Sequence, residues 1–288
     1  MKILITGGSG SIGQALVARL VTEHDITIFS RHESSQVTMR QTFPSCHYII
    51  GDVRDSKVVC GAIKGHDLVY HLASLKHVDV CECQPMEAIK TNIFGTMHVL
   101  QACQYYEVQM INMSTDKAAN PLNVYGRTKR LAEDLVRGYA LTLRSGNVVG
   151  SSGSLIPNVI KSIKDTNSVS LTNAFMTRFF ISLDDVSTVL ADFIHVLPMT
   201  GVFIPPDMTS FYIKDILNAL IKKYGNDETI KNVTGIRPGE QIREYLNAVD
   251  EDVILHDGLV EIKQQSGRRI SSDDCLGTED DLIKMFVQ

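Results

Sequence analysis

The feature that most constrains this chain is an alternation. Apolar, β-branched runs recur at Lys2–Ile5, Ile26–Phe29, His47–Ile50, Leu68–His71, Met110–Met113 and Ala140–Leu143. Helical patterns lie between them at Ile12–Val21, Val58–Ile63, Met86–Tyr106 and Tyr125–Tyr139. Strands that alternate with helices pair in parallel, because a parallel neighbour requires a long crossover and a helix supplies it. Right-handed crossovers then lay helices on both faces of the sheet. The expected fold class is α/β, a Rossmann-type doubly wound parallel sheet with a smaller α/β lobe for substrate binding. The parallel sheet is expected over 1–150, with segments near 175–205 returning to it. Residues 151–288, which mix short strands and helices around Pro157, Pro198, Pro205-Pro206 and Pro238, are expected to form mainly the smaller, interleaved lobe.

The junction of the first strand and first helix reads Thr6-Gly7-Gly8-Ser9-Gly10-Ser11-Ile12-Gly13. Gly7, Gly10 and Gly13 permit a tight turn and close backbone approach to a pyrophosphate, which then sits on the helix N-terminus. A glycine string alone is a flexible turn; the strand–turn–helix context makes it a dinucleotide cradle. The second strand ends Ser30-Arg31, where an NAD site would place Asp or Glu on the ribose 2′-hydroxyl. Ser30 and Arg31 suit a 2′-phosphate instead, so NADP is expected over NAD. Asp52-Val53, after the third strand, falls where an adenine ring would lie, although Asp52 equally suits a strand-end cap.

Composition limits the alternatives. A net charge of -5 argues against an electrostatic nucleic-acid binder. No apolar run is long enough to cross a bilayer, and Met1–Gly7 lacks the core of a signal peptide. A cytoplasmic chain with reduced thiols is therefore expected. His77, Cys81 and Cys83 do not form a four-ligand pattern, so no metal is expected and that stretch is read as a loop.

Chemistry concentrates between 113 and 129. Thr115, Asp116, Lys117, Tyr125 and Lys129 fall within fifteen residues. Tyr125 and Lys129, four apart where a helix opens, lie one turn apart on one face. That spacing predicts a phenol whose pKa is lowered by an ammonium, able to move a hydroxyl proton. Asp116-Lys117 adds a second proton-transfer pair, although adjacent opposite charges are also commonplace on surfaces.

The glycine loop and the Tyr125/Lys129 pair resemble the extended short-chain dehydrogenase/reductase superfamily. Several strings point to one branch: Leu72-Ala73-Ser74-Leu75-Lys76-His77-Val78, Met86–Thr96, Ser114-Thr115-Asp116-Lys117-Ala118-Ala119-Asn120-Pro121, Gly146–Ser154, Thr177–Val186 and Gly235-Ile236-Arg237-Pro238-Gly239-Glu240. Together they resemble the UDP-N-acetylglucosamine 4,6-dehydratases of bacterial capsule, flagellin-sugar and O-antigen synthesis, in the short type without a membrane-spanning region. Ser-Thr-Asp-Lys is the most discriminating string, because sugar 4-epimerases have the Tyr and Lys without it.

The resemblance implies roles. Tyr125 would take the C4 hydroxyl proton, Lys129 would hold the nicotinamide ribose, and Thr115 would hydrogen-bond the same hydroxyl. Lys117, if neutral, would remove the C5 proton; Asp116, if protonated, would donate to the leaving C6 hydroxyl. Ser11, Ile12 and Ala73 join the cofactor residues. Lys76, Asn92, Asn147, Arg178, Arg237 and Glu240 are implied around the UDP-sugar, and a homo-oligomer, dimer or higher, is implied through the two long helices. Alternative functions are a sugar-nucleotide 4-epimerase or reductase, using Thr115, Tyr125 and Lys129 alone, and a non-catalytic NADP-binding sensor.

Overall fold

A computed structural model of the chain describes residues 1–206, 208–237, 239–256, 259–264 and 269–287. Pro238, within one of the motifs, lies outside the described residues. The six expected strand runs are β1 Lys2–Thr6, β2 Asp25–Ser30, β3 His47–Ile50, β4 Leu68–His71, β5 Gln109–Thr115 and β6 Leu141–Ser145. They pair in parallel in the order 3-2-1-4-5-6, the doubly wound Rossmann arrangement. In β4 and β6 every residue is buried, as expected of strands covered on both faces.

Side-chain alternation along β1 divides the core. Ile3 and Ile5 face α1 (Ser11–Leu20), whereas Leu4 faces the opposite layer. That layer includes α3 (Ser56–Ile63), begun by Asp55, whose carboxylate accepts from two main-chain N–H groups of the first turn. Between β2 and β3 lies α2 (Glu33–Thr42), a helix absent from the sequence reading. Only Gln36 and Met39 of it are buried, so it carries no apolar stripe.

The segment read as a loop around Cys81 is a helix, α4 (Val78–Cys83), followed by α5 (Pro85–Ala88). The expected helix over Met86–Tyr106 is interrupted by a π-helical turn at Ile89–Phe94 before α6 (Gly95–Tyr106). The Tyr/Lys helix is α7 (Val124–Val136), shorter at its C-terminal end than the pattern predicts. Asn123 caps it, accepting from Gly126 N at 2.7 Å.

The second half interleaves two structures. A first run of elements is β7 (Asn147–Val148), α8 (Leu155–Thr166), β8 (Ser168–Leu171), β9 (Thr177–Ile181) and α9 (Leu183–Asp192). Next come β10 (Gly201–Ile204), β11 (Thr209–Tyr212), α10 (Ile213–Tyr224) and β12 (Ile230–Val233). The run ends with β13 (Glu251–His256), β14 (Leu259–Gln264) and α11 (Glu279–Val287). β10 pairs with β6, and the β13–β14 hairpin closes the same sheet at nine strands. Residues 251–264 thus extend the large sheet. α9 packs on α1 and buries Val186 and Leu190 in the first core layer. A separate core joins Ile156, Val159 and Ile163 of α8 to Ile216, Leu217 and Leu220 of α10, with Phe180 and Phe211 between them. Among the described residues, no helix is long and apolar enough to cross a membrane.

One buried charge sits inside the large sheet. Arg144 of β6 is wholly inaccessible to solvent. Its guanidinium donates to Glu133 of α7 at 2.6 and 3.0 Å, to Glu251 of β13 at 2.7 and 3.1 Å, and to Leu246 O at 2.7 Å. Replacing it would leave the buried Glu133 carboxylate without its cation and Glu251 with Arg130 alone. Arg144→Met is expected to cost about 3–5 kcal/mol of unfolding free energy, measured by urea denaturation. A loss below about 1 kcal/mol would show that the network contributes little.

Candidate active site

The carboxyl ends of β1, β4, β5 and β6 open into one cleft of about 800 Å³. Its wall takes in Gly7, Gly10, Ser11, Ile12, Gly13, Ser30, Arg31, Val53, Ala73, Lys76, Thr115, Lys117, Tyr125, Lys129 and Asn147. A volume of that size suits an extended ligand. Arg31, Lys76, Lys117 and Lys129 bring positive charge to the wall, and no Asp or Glu lines it among the described residues. A cleft charged in this way favours polyanions such as dinucleotides and nucleotide sugars.

The glycine turn leaves room for a diphosphate. Gly7 has φ +69°, and a Cβ there would lie 2.8 Å from Ala73 N. A Cβ on Gly13 would lie 2.5 Å from Gly8 O, so the helix can pack on the turn only without a side chain. Gly10 precedes α1 without a side-chain cap, and the first turn holds no acidic residue. The helix N-terminus is therefore free to bind an anion. The residues present fit a dinucleotide.

At the adenosine end the structure sorts the expected residues. Arg31 lines the cleft with a partly exposed guanidinium, 3.8 Å from Asp52. The Ser30 hydroxyl accepts from Gln36 Nε2 at 3.0 Å. Val53 lines the cleft, but Asp52 does not; Arg54 grips its carboxylate at 2.6 and 2.8 Å and holds it below the usual carboxylate range despite burial. Asp52 is a strand-end carboxylate in an ion pair with Arg54.

The Tyr125 and Lys129 side chains both face the cleft from α7, as their spacing requires. Their electrostatics differ from the expectation. Burial pushes the Tyr125 phenol up to about 12, opposed by the Lys117 ammonium and the Thr115 hydroxyl. Lys129 donates to Met113 O at 2.6 Å, and burial lowers its ammonium to about 8. The cation that acts on the phenol in this structure is Lys117.

Asp116 and Lys117 form a 3₁₀ turn with Ala118, begun by Thr115 at the end of β5. Lys117 lines the cleft, whereas the Asp116 side chain is wholly buried behind it. Asp116 Oδ1 accepts from Thr115 Oγ1 and Lys117 Nζ, each at 3.0 Å. Asp116 Oδ2 is buried without a partner. A third charged residue, unmarked in the sequence reading, completes the group. Glu244 Oε1 lies 2.7 Å from Lys117 Nζ and 3.2 Å from Arg178 Nε. Burial and the nearby Glu244 carboxylate raise Asp116 to about 7, so the carboxyl holds a proton near neutrality. Burial acts against the Lys117 ammonium, but Asp116 and Glu244 more than offset it and keep it charged. The neutral Lys117 required for a base is therefore not the form favoured here.

The remaining candidates divide. Lys76 lines the cleft but donates to Ser152 O at 2.7 Å, joining the 149–154 loop to the wall beside Ser11, which accepts from Ser152 N at 2.9 Å. Asn147 lines the cleft and donates to Phe179 O at 3.0 Å. Asn92 does not line it: the side chain bonds Leu75 N and O and Thr128 Oγ1, tying the π-helical turn to the β4 loop and to α7. Arg178 also stands off the wall, spending its donors on Glu244, Thr177 O and Gln241 O. Arg237 is exposed, and Glu240 accepts from its main-chain N at 3.0 Å, so both lie outside the cleft. Their loop instead docks on the start of α7, where Asn123 donates to Gly239 O at 2.8 Å.

Three comparisons bear on this site. The model of a family described as polysaccharide biosynthesis protein matches residues 3–260. The chain is 38% identical over 274 residues to a UDP-N-acetylglucosamine 4,6-dehydratase (inverting) of Campylobacter jejuni, covering 89% of this chain and 80% of that one. It is equally, 38%, identical over 277 residues to a UDP-glucose 4-epimerase of Rickettsia akari, again covering 89% and 80%. The X-ray structure of Pen from Bacillus thuringiensis superposes with a TM-score of 0.92 at 28% identity, covering 100% of this chain and 98% of that one.

The carboxyl pair gives a pH test. Asp116 binds its proton more tightly when folded, at about 7, than at its ordinary value of 3.8. Its contribution to stability is therefore full below 3.8 and is lost as pH rises through about 7. Glu244, lowered from 4.5 to about 2, loses its contribution only as pH falls through that lower range. Between about pH 5 and about pH 8, the unfolding free energy of the protein is expected to fall relative to that of Asp116→Asn. Parallel curves in urea titrations would contradict the raised carboxyl.

Proposed function

The chain belongs to the polysaccharide biosynthesis protein family, and we propose that it is a nucleotide-sugar 4,6-dehydratase. Its substrate is UDP-N-acetylglucosamine and its product the UDP-4-keto-6-deoxy sugar. One observation carries the reading. A wholly buried carboxyl, Asp116, which burial and Glu244 raise to about 7, sits one hydrogen bond behind Thr115 and Lys117, and these two share the cleft wall with Tyr125 and Lys129. Hydride exchange at C4 alone uses no such acid; loss of water does.

A nicotinamide dinucleotide would rest on the Gly7–Gly13 turn, with Val53 and Arg31 toward its adenosine and Ala73, Tyr125 and Lys129 toward its nicotinamide ribose. Its nicotinamide would supply the hydride acceptor for C4 and the hydride donor for C6. Tyr125, having passed its own proton to water in the cleft with the Lys117 ammonium opposing its burial, would take the C4 hydroxyl proton. The ketone so formed acidifies the C5 proton. Lys117 would act as a base for that proton only after releasing its own to water in the cleft that it lines. Asp116 supplies the proton with which the C6 hydroxyl leaves as water, as C5 and C6 become double-bonded. A hydride at C6 and a proton at C5 restore the saturated ring.

NADP is the favoured form. Ser30, Arg31 and His32 are the wall residues at the end of β2, with no carboxylate among them to hold a 2′-hydroxyl. Arg31→Ala should weaken NADP binding by about 10–100-fold, the worth of a charge-assisted bond, and leave NAD nearly unchanged in fluorescence titrations. Equal losses for both cofactors would reverse that preference.

The similarity to a UDP-glucose 4-epimerase supports a second reading, in which Asp116 and Lys117 are structural. Incubation with UDP-N-acetylglucosamine in heavy water separates the two. Dehydration yields a product that has lost one water and gained deuterium at C5, and its ring couplings report the C5 configuration. Asp116→Asn and Lys117→Ala should each abolish that product while NADP still binds. A C4 epimer of unchanged mass, formed by both variants, would establish the epimerase.

A further inference from the structure

We infer that Glu244 is a positioning residue that decides which of two buried carboxyls carries the proton, and that its placement assigns the proton to Asp116. The catalytic use of that proton rests on the dehydratase reading; its location does not. Two carboxyls, one from the turn after β5 and one from the segment before β13, share the single ammonium of Lys117, at 3.0 and 2.7 Å. Like charges so close do not both stay ionised in a buried site.

The other partners break the tie. Glu244 receives a second cation, Arg178 of β9 at 3.2 Å, and the Asn147 amide of β7 at 3.4 Å. Its backbone is locked to Ser272, donating to Oγ at 3.0 Å and accepting from N at 2.9 Å. Asp273 on that side is paired with Arg243 and accepts from Thr177 Oγ1 at 2.7 Å. Asp116 receives Thr115 Oγ1 and Lys117, no donor reaches its buried Oδ2 among the described residues, and its carboxyl faces that of Glu244. A buried carboxylate oxygen without a donor is costly, whereas the same oxygen protonated can donate to the Glu244 carboxylate. From α7 the titratable neighbour is Tyr125, with Cys81 of α4 behind it; both are neutral near pH 7 and neither supplies a competing cation. The directions agree: burial and Glu244 raise Asp116, while Lys117 and Arg178 overcome burial and lower Glu244.

Infrared titration of protein carrying carbon-13 in its aspartate carboxyls tests the assignment. A protonated-carboxyl band absent from Asp116→Asn identifies Asp116. Glu244→Gln should lower the midpoint of that band by about two units, because Lys117 then serves Asp116 alone. Glu244→Asp should keep the midpoint, and both variants should still bind NADP. A folded Glu244→Gln protein whose midpoint matches the unaltered chain would overturn the inference. Arg178→Gln approaches it from the other side. In glutamate-labelled protein it should produce a new protonated glutamic acid band as Glu244 takes a share of the proton; no new band would also overturn it. The titration is read without sugar, so failure of the unaltered protein to release water would remove the dehydratase reading and leave this result to stand or fall alone.

Discussion

The site depends on a guanidinium that never meets water. Arg144 projects from the middle of the sheet and is gripped by Glu133 on α7 and Glu251 at the start of β13, with Leu246 O as a further acceptor. Glu133 also accepts from Ser114 Oγ at 2.5 Å, the residue before Thr115. Three pieces of the active site are thereby held to one ion: the end of β5, the Tyr125/Lys129 helix and the segment carrying Glu244. A buried pair of this kind is weak as a source of net stability, because desolvation offsets most of the attraction. It is strong as a constraint, since a shift that parts Arg144 from Glu133 leaves that buried carboxylate without a cation. The proposed catalytic groups inherit that register.

Above this anchor, burial sets the proton inventory. The cleft wall is cationic, with its carboxylates set behind it, so polyanions are drawn in while the acid is kept from water. Burial alone would neutralise every group; the pairings decide which ones resist. Lys117 stays an ammonium between two carboxyls, Glu244 stays ionised between two cations, and Asp116, with the fewest donors, holds the proton. A simple hydride-exchange enzyme has no use for such an arrangement, which is why it weighs toward loss of water.

Much of this was legible in the residues. The six parallel strands follow from apolar runs at helix-sized spacing, and the glycine turn from its place between a strand and a helix. What sequence hid was mostly long-range. The polar helix α2 buries only Gln36 and Met39, too little for a periodic stripe. Glu244 lies 127 residues beyond Lys117, in a stretch without regular structure, and nothing local marks it as a partner. Asn92, Arg178, Arg237 and Glu240 were placed by motif resemblance, which locates a residue near a site but not the direction of its side chain. Here they brace the helix, the carboxylate and the docking loop. The phenol shows the same limit: spacing puts Lys129 on the face of Tyr125, but its ammonium is drawn to Met113 O.

The most direct measurement follows one hydrogen. UDP-N-acetylglucosamine carrying deuterium at C4 would be turned over in ordinary water and the product examined by NMR and mass spectrometry. The account predicts that the deuterium reappears at C6 of a 4-keto-6-deoxy sugar, carried there within the cleft while one water is lost. Deuterium retained at C4 of a sugar that has lost no water would contradict it.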